Sequence, residues 1–196
     1  MEVSAIKFKK LLDFFSSYIQ LRPEEIVSVA SILRFASIKK NDFWVQEGEV
    51  CDRIGLILKG YARTYYLDHQ NRDMTYQFIW EFNILVSLRS FIRRKPSVCS
   101  IVAMENLEVL YANYEDLMEL AEKHPRLEGL VKELVSDNFP DLNAHTKLLQ
   151  MVSAQDRYEY LVTSHPDIVK RVPLKHIASY LGMSTETLSR VRSKMK

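Results

Sequence analysis

Cysteine is scarce in this 196-residue chain: Cys51 and Cys99 are the only two. They are too few and too far apart to hold zinc or an iron–sulfur cluster, so no metal ligands are assigned. No run of about 18 apolar residues occurs, which gives no transmembrane helix and no membrane partner. The opening MEVSAIKFKKLLDFF lacks a signal-peptide cleavage pattern. The expected location is therefore cytoplasmic, with two buried, reduced thiols. A catalytic constellation is missing too. Ser164-His165 and Lys175-His176 are adjacent pairs whose side chains point apart on a helix, so no catalytic residue is assigned and the chain is not expected to be an enzyme.

Charge of one sign is also lacking overall, with 27 Lys and Arg against 25 Asp and Glu and a net charge of +2. That balance hides an asymmetry. From Lys170 to Lys196 there are seven basic residues and one acidic one, +6 in all, which leaves −4 on the remainder. A basic end on a mildly acidic body is the distribution expected when one end meets phosphate. The length allows one large domain, or one domain with a small second one.

Within that basic end, Val172 to Lys194 contains two short amphipathic segments meeting at Gly182. Ile177, Ala178 and Leu181 share one face of the first, and Leu188 and Val191 share a face of the second, the spacing of buried helical stripes. Pro173 suits the first helical turn and Gly182 a turn at positive φ. Ser184 is the expected N-cap of the second helix, with Thr185 and Glu186 in its first turn and Thr187 at the capping-box position. These features predict a helix-turn-helix. The run Ser184, Glu186, Thr187 and Arg190 also resembles the opening of the recognition helix in the Crp/Fnr family of bacterial transcription regulators.

Upstream, residues 5 to 20 and the segment from Pro23 to Leu33 have helical periodicity. From Asp42 the period shortens. Phe43 to Glu49, Ile54 to Leu58, Tyr61 to Leu67, Met74 to Trp80, Ser97 to Met104 and Leu107 to Tyr111 predict the strands of an antiparallel sandwich or barrel. Asp68 to Asp73 is expected as a hairpin loop. Glu47-Gly48-Glu49 and Ile57 to Arg63 resemble the glycine turns of a cyclic-nucleotide-binding β-roll, so the likeness to Crp/Fnr regulators extends over about residues 20 to 196.

The resemblance implies an α+β fold with N-terminal helices and an antiparallel, jelly-roll-like β-roll, a long dimerisation helix, and an all-α helix-turn-helix domain. The expected boundaries are 1–125 for the effector domain, 126–152 for the dimerisation helix and 153–196 for the DNA-binding domain. Residues 126 to 152 carry an apolar stripe close to a 3.5-residue repeat, which needs a partner, and Pro140 is expected to kink or break it. His145 is expected as a packed or interface histidine, not a haem ligand. Tyr114 to Glu122, ended by His124-Pro125, and Ala154 to Leu161, ended by His165-Pro166, are two further expected helices. The β-wing of many relatives is expected to be short or absent.

Relatives that bind cyclic AMP place a Phe-Gly-Glu run and then Arg-Ser or Arg-Thr in the later part of the roll. Glu takes the ribose hydroxyl and Arg the cyclic phosphate. The corresponding stretch here, Phe82 to Cys99, has no Gly-Glu pair, and Pro96 instead of Arg precedes Ser97. Each lost charged contact costs on the order of 1.5–3 kcal/mol, so cyclic AMP is disfavoured and no cofactor is assigned. Arg89, Arg93, Arg94 and Lys95 are expected in a solvated loop, with binding of a different anion as the alternative. Leu85, Val86, Ser87, Arg89, Ser97 and Cys99 are the candidate ligand residues, for an altered small-ligand or cyclic-nucleotide pocket. A haem-based gas sensor is the other alternative, and four-cysteine oxygen sensing is excluded.

The function implied is a homodimeric, sequence-specific regulator on double-stranded DNA, with RNA polymerase as a further candidate partner. Thr185, Glu186, Ser189 and Arg190 are expected at base edges. Lys175, Arg192, Lys194 and the backbone near Ser184 are expected at phosphates. Where the cyclic AMP responder carries Arg this chain has Thr185, so its operator should differ at that base.

Overall fold

The computed structural model describes residues 22–127 and 142–195. The expected helix at 5–20 and the question of a break at Pro140 lie outside them. Helix α1, Pro23–Ile32, begins with Pro at its first position, and the Glu25 carboxylate reaches back to accept the Arg22 N–H at 2.8 Å. Glu25 is buried and also takes Arg126 Nη1 at 3.2 Å, so its charge is paired.

Eight strands follow: β1 Arg34–Ile38, β2 Phe43–Val45, β3 Arg53–Lys59, β4 Ala62–Leu67, β5 Asp73–Ile79, β6 Ile84–Leu85, β7 Ser100–Ala103 and β8 Leu107–Asn113. They form two four-stranded sheets, ordered β1-β8-β3-β6 and β2-β7-β4-β5. The register of the first places Tyr111 of β8 between Arg34 and Gly55. Strand β1 was not expected, because Arg34 and Ser37 dilute its apolar alternation. Short α2, Leu88–Arg93, sits between β6 and β7, and α3, Tyr114–Lys123, follows β8.

The roll is filled from both sheets by Trp44, Ile57, Ile79, Leu85, Ile101, Leu107 and Val109. Strand β3 is buried on both faces: Ile57 points into the roll, while Leu56 and Leu58 pack with Leu110 and Leu33 on the other side. Space is tight where Trp44 meets β3. A Cβ on Gly55 would lie 2.6 Å from Val109 Cγ1 and 3.1 Å from the Trp44 ring, so glycine is needed there for room. Gly48 and Gly60, by contrast, turn at φ of +90° and +86°. In the β4–β5 hairpin, Asp68 closes the loop by accepting the N–H groups of Gln70 and Arg72 at 2.8 and 2.9 Å.

Five helices are described in the C-terminal part: α4 Leu142–Gln150, α5 Ala154–Ser164, α6 Pro166–Arg171, α7 Leu174–Tyr180 and α8 Thr185–Lys194. Their core is Leu148, Tyr158, Leu161, Ile168, Val172, Ile177, Leu181 and Leu188. Helix α6 was not expected, as its six residues are shorter than two turns. Two compact units result, residues 22–63 with 78–127 and residues 64–77 with 142–195. The outer part of the β4–β5 hairpin belongs with the helices because Ser179 of α7 binds its edge: Oγ accepts Thr75 N–H at 2.9 Å and donates to Asp73 O at 3.0 Å. No helix among the described residues is long and apolar enough to cross a membrane.

Candidate functional site

Helices α7 and α8 form the expected helix-turn-helix, and the turn follows from backbone hydrogen bonding. Pro173 is the N-cap of α7 instead of lying inside its first turn, with its carbonyl taking the N–H groups of His176 and Ile177. At the other end Gly182 adopts φ of +61°. Its N–H donates to Ser179 O at 3.1 Å and that of Met183 to Ala178 O at 3.0 Å, the two bonds of a Schellman cap. Ser184 then starts α8, its Oγ accepting Thr187 N–H at 3.2 Å.

Burial divides α8 into two faces. Leu188 is 0% exposed and Val191 half-buried, while Thr185, Glu186, Ser189 and Arg190 all face solvent. Lys175 and Lys194 are exposed as well. Arg192 is half-buried, since it lies four residues after Leu188 and shares the edge of the core face. The exposed side chains are ordered among themselves. Arg190 Nη2 donates to Thr187 Oγ1 at 3.3 Å, and Ser184 Oγ donates to the same oxygen at 3.2 Å. Thr187 thus links the cap to the arginine, a role legible only in the i, i+3 spacing on either side of it. The Glu186 carboxyl is held below its ordinary range by its own backbone N–H, then by the Ser184 and Thr185 hydroxyls. It is therefore a pure acceptor beside a five-donor guanidinium, the pair of chemistries that distinguishes cytosine from guanine edges.

The candidate ligand residues of the roll are arranged differently. Leu85 belongs to the core, and Val86 packs against it half-buried. Ser87, Ser97 and Cys99 are buried, while Arg89 is exposed and does not join them. Ser97 Oγ donates to Cys99 O at 2.7 Å, which requires Ser87 Oγ to be the donor in the 2.8 Å bond between the two serines. Ser97 Oγ also accepts Cys99 N–H at 3.3 Å. The hydroxyls thus satisfy one another and the backbone.

The basic stretch beside them is solvated at Arg89, Arg93 and Lys95 as expected, but it is not a loop and Arg94 is half-buried. Residues 88–93 are helical, because Ser87 lets its carbonyl accept Phe91 N–H and Phe91 drops into the core. Arg94 ends that helix at φ of +51° and is half-buried: Nη1 donates to Cys51 O at 2.9 Å, and the guanidinium lies 4.1 Å above the Tyr114 ring. Arg93 and Lys95 are exposed. Both cysteines are free and buried, as expected. Burial pushes the Cys51 thiol up, against hydrogen bonds to the backbone of Ser87 and Arg53. No cluster of His, Cys, Asp and Glu able to hold a metal occurs among the described residues. The expected packing of His145 is observed: its ring stacks on Tyr180 at 4.5 Å.

The profile of the cyclic nucleotide-binding domain matches residues 35–124. No curated protein matches the chain significantly by sequence. Among solved structures, a protein of Eubacterium rectale assigned to the crp/fnr family superposes with a TM-score of 0.71 at 17% identity, covering 89% of this chain and 83% of that one. The c-di-GMP-responsive global regulator CLP of Xanthomonas campestris gives 0.69 at 16% identity, covering 89% and 91%. FixK2 of Bradyrhizobium japonicum gives 0.68 at 17% identity, covering 84% of each. Residues 35–124 thus resemble a cyclic nucleotide-binding domain, and the chain shares the fold of these three structures.

Proposed function

We propose that this protein is a cytoplasmic transcription regulator that binds double-stranded DNA as a homodimer, with α8 as its reading helix. The observation that carries this reading is the two-faced α8. One face is sealed by Leu188, and the other presents Thr185, Glu186, Ser189 and Arg190 to solvent behind the Ser184 cap. Two such helices would enter successive major grooves about 34 Å apart and read a near-palindromic site. Arg190 would pair with guanine and Glu186 accept from cytosine, while Lys175, Arg192 and Lys194 hold phosphates. Dimerisation is assigned to residues 126–152 on the strength of their apolar stripe, of which α4 is the described end. RNA polymerase is a further candidate partner.

The effector is not cyclic AMP in this reading, and no cofactor is required. A buried cyclic phosphate needs paired charges, whereas Ser87 and Ser97 are already satisfied by each other and by Cys99, and Arg89 faces outward. The domain match favours a second reading, in which an altered roll senses a different small ligand.

The deciding experiment titrates a randomised duplex pool by fluorescence anisotropy at two salt concentrations, then sequences the bound fraction with and without cyclic AMP. Enrichment of a two-fold-symmetric motif, unchanged by the nucleotide, is the expected result. Enrichment only with cyclic AMP would overturn the effector assignment. Absence of any motif, together with unchanged binding by Arg190→Ala, would remove α8 as the reading helix.

A further inference from the structure

Helix α4 touches the helix-turn-helix at its turn. His145 Nε2 lies 2.8 Å from Tyr180 O, and a carbonyl can only accept, so this nitrogen carries the proton. Tyr180 is the last residue of α7. Its carbonyl, at the C-terminal end of the helix, accepts this imidazole N–H. The same ring stacks on the Tyr180 side chain at an interplanar angle of 22°. One turn further along α4, the partly exposed Leu149 lies beside Gly182, where an added Cβ would be 3.0 Å from Leu149 Cδ2. His145 and Leu149 are four residues apart, so they project from one face of α4. That face therefore holds the residue before the turn and the glycine of the turn itself.

The residue before Tyr180 is held from another side. Ser179 Oγ binds the outward-facing N–H of Thr75 and C=O of Asp73 on edge strand β5. The last turn of α7 is consequently gripped by α4 at Tyr180 and Gly182 and by the hairpin at Ser179. The adjoining Schellman bonds set the direction in which α8 leaves, so a rotation of α4 acts on the pose of α8 through this turn as well as through α5, which packs on both helices.

We infer that His145 is a positioning residue for DNA reading: through Tyr180 and the Gly182 turn it sets the orientation of α8 relative to α4. The inference rests on α8 being the reading helix. Its test uses the full chain with His145→Phe, which keeps an aromatic ring and removes the N–H, and His145→Gln, which keeps a donor and removes the ring. Two readouts separate the possibilities. Hydrogen–deuterium exchange of the segment 178–185 reports on the turn without any DNA. The ratio of affinities for the selected operator and for a random duplex, measured at equal folded fraction, reports on pose.

In His145→Phe, exchange at Gly182 and Met183 is expected to rise about fivefold, the factor carried by one typical hydrogen bond. The operator-to-random ratio is expected to fall by about tenfold, and His145→Gln should recover most of both losses. Exchange that stays at the wild-type level in His145→Phe overturns the inference. So does raised exchange with an unchanged affinity ratio, because the contact would then be structural only. If the wild type itself selects no operator while exchange responds as expected, the grip on the turn stands and the DNA-reading function is what fails.

Discussion

In the roll, between Ser87 and Cys99, serine hydroxyls turn inward and use up their hydrogen-bonding capacity on one another and on nearby backbone. On α8, Ser189 and the side chains around it turn outward, and the carboxylate of Glu186 and guanidinium of Arg190 keep donors and acceptors to spare. The residue types overlap, but the saturation of their bonds does not. A recognition surface needs unsaturated groups held in place by a saturated frame. In this protein α8 has both, whereas the ligand segment of the roll has only the frame.

Four measurements test that contrast. The largest effect is expected for Leu188→Ala, which empties the seam between α7 and α8 and should cost about 2–5 kcal/mol of helical-unit stability. Thermal unfolding followed by circular dichroism reads it. A loss well under 1 kcal/mol would mean that the frame lies elsewhere.

Next comes Arg190→Ala, where one bidentate base contact is worth about 1–3 kcal/mol, so operator affinity should drop by roughly ten- to a hundredfold. Binding to random duplex should weaken far less. An equal loss on both duplexes would make Arg190 a phosphate contact.

The contrast is most direct in a pair of serine deletions. Ser97→Ala strips Ser87 of its acceptor and Cys99 O of its donor and should cost about 1–3 kcal/mol. Ser189→Ala removes the same hydroxyl from an exposed position and should stay within about 0.5 kcal/mol of wild type. Urea denaturation of both variants decides, and similar losses would erase the distinction drawn between the two regions.

The smallest effect concerns Asp68. The backbone N–H of Arg72, then its guanidinium, lower its pKa to about 2. The folded value lies below the ordinary one near 3.9, so its contribution to hairpin stability is present above that pH and is lost as pH falls toward about 2. A carboxyl NMR titration should give that midpoint, and Arg72→Ala should move it upward. An ordinary midpoint in the wild type would show the loop clamp to be open in solution.

Much of the fold was legible because local rules coincide with it. Ser184 caps α8 where its short hydroxyl side chain and the following periodicity demanded, and Gly182 turns where positive φ was needed. Most expected strands appear within a few residues of their apolar runs. The failures have local causes. Strand β1 lacks alternation, and its order comes from pairing with β8, from Arg34 with Tyr111 to Ile38 with Leu107. Helix α2 was hidden by its cations, whose charge suggested solvent while Phe91 decided its packing. Arg89 lies only two residues past Ser87, yet it falls on the solvent side of α2 while Ser87, the N-cap of that helix, is buried.

Sequence alone determined the basic C-terminal end, the helix-turn-helix with its cap and turn, and the lack of a Gly-Glu pair and of an Arg before Ser97. Those features depend on residue identity over a few positions, where backbone geometry and side-chain chemistry suffice. The tertiary structure decided that Ser87 and Ser97 bond to each other, that Thr187 ties the cap to Arg190, and that His145 and Leu149 lie against the turn between α7 and α8. The serine pair and the α4 grip join groups 10 to 35 positions apart in the chain. A hydrogen bond has a reach of about 3 Å, so only the folded chain brings such groups together.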